Sequence, residues 1–280
     1  MEIKMRCETI YLKDIFPQLG ADGCNAKVDT YIPYPMTEMG WDDRKKPCIL
    51  ICPGGGYAGV SKREAEPIAL KFLEAGYNAF VVTYSVAPHR FPQQLLEVAA
   101  AMELIYQNAE EWHCDVTKIA ITGFSAGGHL AAYYTNAYDC PKVRSVFPDS
   151  KPVQASILCY PVITSDRAHA HQRSFLNLLG EYPADDDERF SCDKLVSEKT
   201  PPTFLWHTAE DNCVPVENSL LYAAALSKYK IPFELHIYPY GWHGLATADG
   251  MSNEEDALDM RIRRANEWLE NAKRWLRTQW

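Results

Sequence analysis

A serine between two glycines is the strongest chemical signal in the sequence. Residues 123–127 read Gly-Phe-Ser-Ala-Gly, so Ser125 has a glycine two positions away on either side. A β-rich run, Lys118 to Thr122, precedes the motif, and a segment of helical periodicity, Ala126 to Tyr138, follows it. Small residues at these positions allow a sharp turn from strand to helix, which exposes the hydroxyl and directs helix N–H groups at a developing oxyanion. The motif in this context predicts a nucleophilic Ser125 rather than a plain glycine-rich turn.

A nucleophilic serine needs a histidine base and a carboxylate that orients the histidine. Asp211 and His243 both come shortly after β-rich runs, in the chain order Ser, Asp, His that accompanies this kind of turn. Because the carboxyl ends of parallel strands meet at one edge of a sheet, we expect the three side chains to lie together. Glu210, next to Asp211, remains an alternative acid.

Three consecutive glycines follow another β-rich run. Residues 53–57 read Pro-Gly-Gly-Gly-Tyr, and such a loop can bring backbone N–H groups close to a substrate carbonyl. We expect it to form an oxyanion hole together with the N–H of Ala126, the residue after the serine. A phosphate-binding loop is the alternative, but no Lys-Ser/Thr pair follows the glycines.

Apolar strand-like runs alternate with helical segments along most of the chain. This alternation indicates an α/β fold in which helices cover both faces of a mostly parallel central sheet, with antiparallel edge strands from the first 35 or so residues. The predicted strands are Pro47–Cys52, Asn78–Tyr84, Lys118–Thr122, Ala155–Tyr160, Thr203–Thr208 and Phe233–Tyr238. The predicted helices are Glu64–Ala75, Pro92–Tyr106, Ala126–Tyr138, Val216–Lys228 and a closing helix whose apolar face runs from Leu258 to Leu276.

Residues 162–202 interrupt this alternation. They contain one short helical run, Ser174 to Leu179, which ends at Gly180. A connection of about 40 residues is far longer than usual and suggests a functional insertion such as a lid. The alternative is a solvent-exposed segment that has no function. With no repeat or low-complexity tract, we expect residues 1–280 to form a single domain.

Composition and charge narrow the class of partner. The chain has 28 Lys and Arg against 37 Asp and Glu, a net charge of −9, which argues against nucleic acid and favours a neutral substrate. No apolar run has the length of a membrane span, so we expect no membrane partner. The amino terminus lacks an apolar signal-peptide core, and the nine cysteines are scattered without a C-x-x-C pair, so we expect a cytoplasmic protein with reduced cysteines. The sequence is compatible with a homo-oligomer but leaves the oligomeric state open.

Three segments together resemble the α/β-hydrolase superfamily. They are residues 53–57, residues 84–92 (Tyr-Ser-Val-Ala-Pro-His-Arg-Phe-Pro) and residues 123–128. They are similar to the H-G-G-G, Y-R-L-A-P and nucleophile segments of hormone-sensitive-lipase-like carboxylesterases, over roughly residues 45–250. Pro53 stands where those enzymes have histidine, and Ser85 and His89 stand where they have Arg and Glu. These departures fit better the bacterial acetyl xylan and feruloyl esterase-like proteins, which the sequence resembles most.

The resemblance implies the α/β-hydrolase fold and a serine carboxylesterase. Ser125, Asp211 and His243 carry over as the catalytic triad, and Gly55, Gly56 and Ala126 as the oxyanion donors. The implied substrate is a small-molecule ester or an oligosaccharide carrying acetyl-type esters, such as acetylated xylo-oligosaccharides, and the acyl-serine mechanism requires no metal or organic cofactor. An amide or formamide hydrolase of the same fold, and a non-catalytic binding protein of that fold, remain alternatives.

Three aromatic residues flank the proposed site in sequence. Tyr57 follows the glycine loop, and Tyr240 and Trp242 precede the histidine. Aromatic faces can stack on sugar rings or aryl groups, so we expect substrate contacts here, with ordinary pocket lining as the alternative. The sequence has no long apolar stretch for a lipid-binding lid, which favours short acyl groups such as acetyl.

Overall fold

One sheet of eight strands runs through the described part of the chain. The computed structural model describes residues 5–20, 25–184 and 186–280. In chain order the strands are β1 (Thr9–Tyr11), β2 (Lys27–Tyr31), β3 (Lys46–Cys52), β4 (Asn78–Thr83), β5 (Cys114–Phe124), β6 (Ala155–Cys159), β7 (Thr203–Thr208) and β8 (Phe233–Tyr238). Across the sheet their order is β1-β2-β4-β3-β5-β6-β7-β8. Strand β2 is antiparallel to β1 and β4, whereas every pair from β4 to β8 is parallel, which confirms the predicted sheet and its antiparallel edge.

Helices cover both faces of the sheet, as predicted. They are α1 (Leu12–Ile15), α2 (Glu66–Glu74), α3 (Gln93–Gln107), α4 (Ala126–Ala137), α5 (Pro141–Arg144), α6 (Gln172–Leu179), α7 (Cys192–Leu195), α8 (Glu217–Lys228), α9 (Met260–Arg263) and α10 (Glu267–Leu276). Short 3₁₀ turns span Pro17–Leu19, Thr37–Met39, Lys62–Glu64, Glu188–Phe190, Glu255–Ala257 and Arg264–Asn266. Within the described ranges, none of the helices combines the length and the apolar character needed to cross a membrane.

Alternate side chains of each central strand enter two separate cores. In β3, Ile49 and Ile51 pack in the core that holds α2 and α10, whereas Leu50 packs in the core that holds α3, α4 and α8. All three side chains are fully buried. Because both faces of the sheet are covered, central strands such as β3 and β4 carry a nearly continuous apolar run rather than alternating with polar residues.

The closing helix is not continuous. Leu258, Ala265, Leu269 and Leu276 are buried, as the predicted apolar face requires. Leu258 nevertheless precedes the first helical turn, because the carboxylate of Asp259 accepts hydrogen bonds from the N–H groups of the second and third residues of α9 and caps it there. A 3₁₀ turn then separates α9 from α10. The prediction of one helix over this face is therefore wrong, although the inward positions are correct.

The long connection between β6 and β7 folds against the rest of the chain. It contains α6, whose end at Gly180 was predicted and whose Gly180 has a φ of 91°. Phe175 and Phe190 pack with Val162 and with Val214 of the loop after β7 in a small apolar cluster. The segment thus has a core of its own and is anchored to a loop at the carboxyl end of the sheet.

The turn from β5 to α4 requires very close backbone packing. A Cβ on Gly127 would lie 2.1 Å from the carbonyl oxygen of Cys52 and 2.2 Å from that of Pro53. A Cβ on Gly123 would lie 2.2 Å from the carbonyl oxygen of Gly127. Real Cβ atoms do not approach other atoms so closely, and the two glycines of the Gly-x-Ser-x-Gly motif therefore allow α4 to start directly against the end of β3.

We expect Gly127→Ala to lower the free energy of unfolding by about 1 to 3 kcal/mol, because the added methyl group forces α4 away from β3. Urea denaturation of the purified variant measures this change. Gly59→Ala is the matched control, since a Cβ on Gly59 meets no atom within 4 Å. Equal stability of the two variants would contradict the close approach.

Candidate active site

Ser125 stands in the tight turn between β5 and α4. Its backbone has φ 54° and ψ −121°, a conformation that non-glycine residues rarely adopt. Three backbone hydrogen bonds hold it: Ser125 N–H donates to Cys159 O at 3.1 Å, and the N–H groups of Val162 and His129 donate to Ser125 O at 3.0 and 3.1 Å. The turn positions the hydroxyl at the carboxyl edge of the sheet, where it lines a cavity.

The structure brings His243 and Asp211 to this serine. Nε2 of His243 lies 2.8 Å from Oγ of Ser125, and Nδ1 of His243 lies 2.6 Å from Oδ2 of Asp211. Since the carboxylate accepts, Nδ1 carries the imidazole proton and Nε2 is free to accept the serine proton. A hydroxyl in this arrangement can transfer its proton to the imidazole as it attacks a carbonyl carbon.

Asp211 is buried and receives several hydrogen bonds. Its Oδ1 accepts from the N–H groups of Cys213 and Val214, both at 2.9 Å. Burial alone would raise the pKa of Asp211, but the hydrogen bonds from His207, His243 and Val214 outweigh it and hold that pKa well below its ordinary value. The carboxylate therefore stays ionised beside the imidazole. The neighbouring alternative, Glu210, instead accepts from the N–H of Gly241 at 3.3 Å.

His207 supports Asp211 from inside the sheet. Its Nε2 lies 2.9 Å from the carbonyl oxygen of Val214 and 3.3 Å from Oδ2 of Asp211, and its Nδ1 lies 2.8 Å from Oγ of Ser219. A carbonyl oxygen only accepts, so Nε2 carries the proton and faces the carboxylate. The sequence placed His207 in a strand, but which atoms it touches depends on the loop that folds back from β7.

The glycine loop lines the same cavity as Ser125. Gly55 and Gly56 both border it, with φ values of 126° and 63°. Neither of their N–H groups has a hydrogen-bond partner in the described part of the chain. Ala126 is the first residue of α4, so its N–H is among those that a helix leaves without an internal partner. These three groups remain the expected oxyanion donors.

Glu64 is a buried carboxylate at the site that the sequence did not reveal. Its Oε2 accepts from Gly54 N–H at 2.8 Å, and its Oε1 accepts from the hydroxyl of Tyr160 at 2.7 Å. The same hydroxyl accepts from Ala246 N–H at 3.0 Å, and the ring of Tyr160 packs edge-on to that of His243 with centroids 5.1 Å apart. Glu64 thus joins the glycine loop to the histidine loop. Sequence periodicity had instead placed it in the first turn of a helix, which begins only at Glu66.

The cavity above Ser125 has a volume of about 360 Å³. One wall comes from the long connection, which contributes His171, Arg173 and Asn177. The side-chain amide of Asn177 donates to Gly56 O at 2.8 Å and so ties α6 to the glycine loop. Burial, and then the neighbouring His243, lower the pKa of His171. None of these three residues was identified from the sequence, because only the folded chain brings α6 over the sheet.

The prediction that Tyr57 contacts substrate is wrong. Its side chain is only 1% exposed and lies in the core beneath the glycine loop. Its hydroxyl is 2.9 Å from Nδ1 of His129, whose Nε2 lies 2.9 Å from the carbonyl oxygen of Phe190. Burial lowers the pKa of His129 to about 4, so this imidazole is a neutral, packed group. Tyr57 therefore connects the glycine loop to α4 rather than to the cavity.

Tyr240 and Trp242 lie near the surface. Trp242, 37% exposed, lines an open cavity of about 550 Å³ that adjoins the serine cavity through Arg63. Tyr240 lines neither of these two cavities; its ring faces the guanidinium of Arg261 at 5.0 Å. Of the three aromatic residues, Trp242 alone remains positioned beside the site.

The described residues form no metal-binding cluster at this site. No three His, Cys, Asp or Glu side chains of the described residues are grouped so as to hold a metal ion. Eight cysteines of the described chain are free thiols, and Cys24 lies outside the described residues. Cys213 lines the serine cavity, and burial together with Asp211 raises the pKa of its thiol.

Comparisons with known proteins identify a matching family and similar sequences. The BD-FAE family model matches residues 36–226. Endo-1,4-beta-xylanase B of Butyrivibrio fibrisolvens is 38% identical over 83% of this chain and 38% of its own length. The acetylxylan esterase of Xylanibacter ruminicola is 30% identical over 70% of this chain and 40% of its own length. The chain thus spans about two fifths of the length of these curated relatives.

Solved structures resemble the whole chain. The acetyl ester-xyloside bifunctional hydrolase of Caldicellulosiruptor lactoaceticus has a TM-score of 0.82 and 35% identity, with 99% of this chain and 98% of that chain covered. A carboxylesterase of Lactobacillus plantarum has a TM-score of 0.82 and 26% identity over the same shares. An α/β hydrolase from a deep-sea metagenome library has a TM-score of 0.77 and 32% identity, with 99% of this chain and 98% of that chain covered, which confirms the predicted fold class.

We expect His207→Ala to reduce kcat for 4-nitrophenyl acetate by about 10- to 100-fold and to leave KM nearly unchanged, because His207 orients Asp211 and does not reach the cavity. His207→Gln should recover part of the loss, since its amide N–H can still donate to Asp211. His236→Gln, a strand histidine paired with Glu234 on β8, is the control. A folded His207→Ala variant with normal kcat would contradict this role.

Proposed function

Because the chain belongs to the BD-FAE family, among the carboxylesterases of the α/β-hydrolase fold, we propose that it is a serine esterase that removes short acyl groups, acetyl above all, from carbohydrate. The observation that carries this proposal is the continuous hydrogen-bonded series from Ser125 Oγ through His243 to Asp211 at the floor of an open cavity. A hydroxyl so activated is suited to acyl transfer.

In the first half of the reaction, Ser125 Oγ attacks the ester carbonyl while Nε2 of His243 takes its proton. Asp211 holds the imidazole with Nδ1 protonated and stabilises the positive charge that forms on it. The N–H groups of Gly55, Gly56 and Ala126 stabilise the negative charge on the carbonyl oxygen. As the tetrahedral intermediate collapses, His243 gives its proton to the departing alcohol oxygen, and the acyl group stays on Ser125.

In the second half, water replaces the alcohol. His243 takes a proton from the water, whose oxygen attacks the acyl-serine carbonyl, and then returns that proton to Ser125 Oγ as the carboxylic acid leaves. The same donors stabilise the second oxyanion. The enzyme returns to its starting state with one ester bond hydrolysed and with no metal or organic cofactor used.

The surroundings of Ser125 favour a small acyl group on a larger alcohol. The cavity of about 360 Å³ is bordered largely by glycines and polar side chains, not by an apolar tunnel. The neighbouring cavity offers the face of Trp242 to a sugar ring. The names of the xylanase and acetylxylan esterase relatives point to carbohydrate esters as well. We assign residues 1–280 to one catalytic domain, in which the segment 162–202 forms a wall of the cavity.

Ser125→Ala should lose at least about 10³-fold in kcat for 4-nitrophenyl acetate, because the hydroxyl that His243 contacts is removed. A fluorophosphonate probe should label the wild-type protein on Ser125 and leave the variant unlabelled. Ser227→Ala, an exposed serine on α8, serves as the control and should keep full activity. Labelling at another residue, or full activity in Ser125→Ala, would contradict the proposed nucleophile.

Acetyl esters should be hydrolysed faster than octanoyl esters of the same alcohol, because the cavity has no long apolar channel for the chain. The measurement is kcat/KM for 4-nitrophenyl acetate, butyrate and octanoate, followed by acetylated xylo-oligosaccharides. Faster cleavage of octanoate would overturn the short-acyl assignment. N-formylkynurenine belongs in the same panel, since its preferred hydrolysis would favour a formamide hydrolase on this fold.

A further inference from the structure

Two arginines line the serine cavity without an acidic partner. Arg63 and Arg173 both border it, and both side chains are exposed to solvent. Neither forms an ion pair with any described acidic residue, whereas Arg6, Arg189 and Arg263 each contact a carboxylate. An unpaired guanidinium beside a reactive centre is available to an anionic group of a ligand.

Arg63 lies beside the loop that carries His243. A Cβ on Gly244 would be 3.2 Å from Nη2 of Arg63, so the guanidinium rests on the residue that follows His243. Arg63 also lines the second cavity, together with Trp242. Arg63 therefore borders both cavities. If the alcohol part of a substrate extends from Ser125 towards Trp242, the groups of that part nearest to the ester bond lie beside Arg63.

Arg173 lies on another wall of the serine cavity, the one formed by α6. It belongs to α6, one helical turn before Asn177, whose amide is fixed on Gly56 O. The position of α6 against the glycine loop is thus set by a hydrogen bond, and Arg173 is held over the same cavity. The two guanidinium groups come from separate elements, one after β3 and one between β6 and β7, and only the fold brings them together.

The other charged groups that line the cavity do not cancel the positive charge of Arg63 and Arg173. Among the described residues that line the cavity, Glu64 is the one carboxylate, and its two oxygens accept from Gly54 N–H and the Tyr160 hydroxyl rather than from either guanidinium. The thiol of Cys213 has a raised pKa and stays neutral. His171 and His243 are neutral or positive. Glu254 is an acidic residue in the lining of the second cavity.

We propose that the natural substrate of this esterase carries a carboxylate on its alcohol part, as in an acetylated saccharide that contains a uronic acid. The carboxylate pairs with Arg63 while the sugar ring packs on Trp242, and Arg173 adds attraction from the opposite wall. The net charge of −9 had favoured a neutral substrate, but recognition depends on the charge that lines the cavity and not on the sum over the surface. This assignment rests on the proposed esterase function.

The test compares two substrates that differ only in one group: the monoacetates of methyl glucuronoside and of methyl glucoside. For the wild-type protein we expect kcat/KM to be about 10-fold or more higher for the uronoside at low ionic strength, and this preference should shrink as salt is added. Arg63→Gln should lower the ratio of the two kcat/KM values by about 5- to 10-fold, mainly through KM, and Arg173→Gln by a smaller factor. The double variant should show a ratio near one.

Lys62→Gln is the matched control. Lys62 is an exposed cation in the same 3₁₀ turn as Arg63 but does not line the cavity, so the ratio should stay at its wild-type value. A hemisuccinate ester of methyl glucoside forms a further arm, because a preference for it over the acetate would assign the carboxylate to the acyl part and overturn the proposal.

A wild-type ratio near one, or arginine substitutions that slow both substrates equally, would also overturn the anionic-substrate assignment while leaving the esterase intact. Failure of the wild-type protein to cleave any of the three esters, 4-nitrophenyl acetate and the two monoacetates, would instead overturn the esterase function on which the assignment rests. The two failures are therefore distinguishable in one set of measurements.

Discussion

The backbone conformation of Ser125 is the constraint on which the rest of the site depends. A non-glycine residue at φ 54° is strained, and it persists only where the surrounding structure holds it. Here β5 and the start of α4 fix it on either side, and hydrogen bonds with Cys159 and Val162 tie it to the end of β6 and the residues beyond. Close contact of Gly127 with the end of β3 leaves α4 no other position. The hydroxyl is therefore presented by the packing of the sheet itself.

Two buried carboxylates then fix the loops that face this serine. Asp211 accepts from two backbone N–H groups and from His243, so the imidazole has one orientation and one tautomer. Glu64 accepts from Gly54 and Tyr160, so the glycine loop and the histidine loop are held at a fixed separation. A buried carboxylate is costly unless its oxygens are hydrogen-bonded. Because each of these carboxylates has its hydrogen-bond donors, both can hold their loops in place without a bound ligand.

Much of the fold, and the three side chains that meet at the candidate site, could be predicted from the sequence. Strand-like runs such as Thr203–Thr208 have the same bounds in the structure, because a strand covered on both faces is buried over its whole length. The Gly-x-Ser-x-Gly motif indicated Ser125, since its glycines satisfy a local steric need that can be seen in five residues. Asp211 and His243 were found by their places after strands, because a parallel sheet gathers the ends of its strands at one edge.

Only the tertiary structure decided which residues that lie far apart in the chain are in contact. Glu64 was assigned to a helical face, and only the position of Gly54 and Tyr160 makes it a buried acceptor. Tyr57 was expected to face a ligand, but its hydroxyl turns inward to His129. The sequence by itself determined the strands, the turn and the side chains that meet at Ser125, because these follow from local periodicity, steric limits and positions at the ends of strands. The pocket walls and their charge arise only when α6 and the turn at Arg63 meet over the sheet.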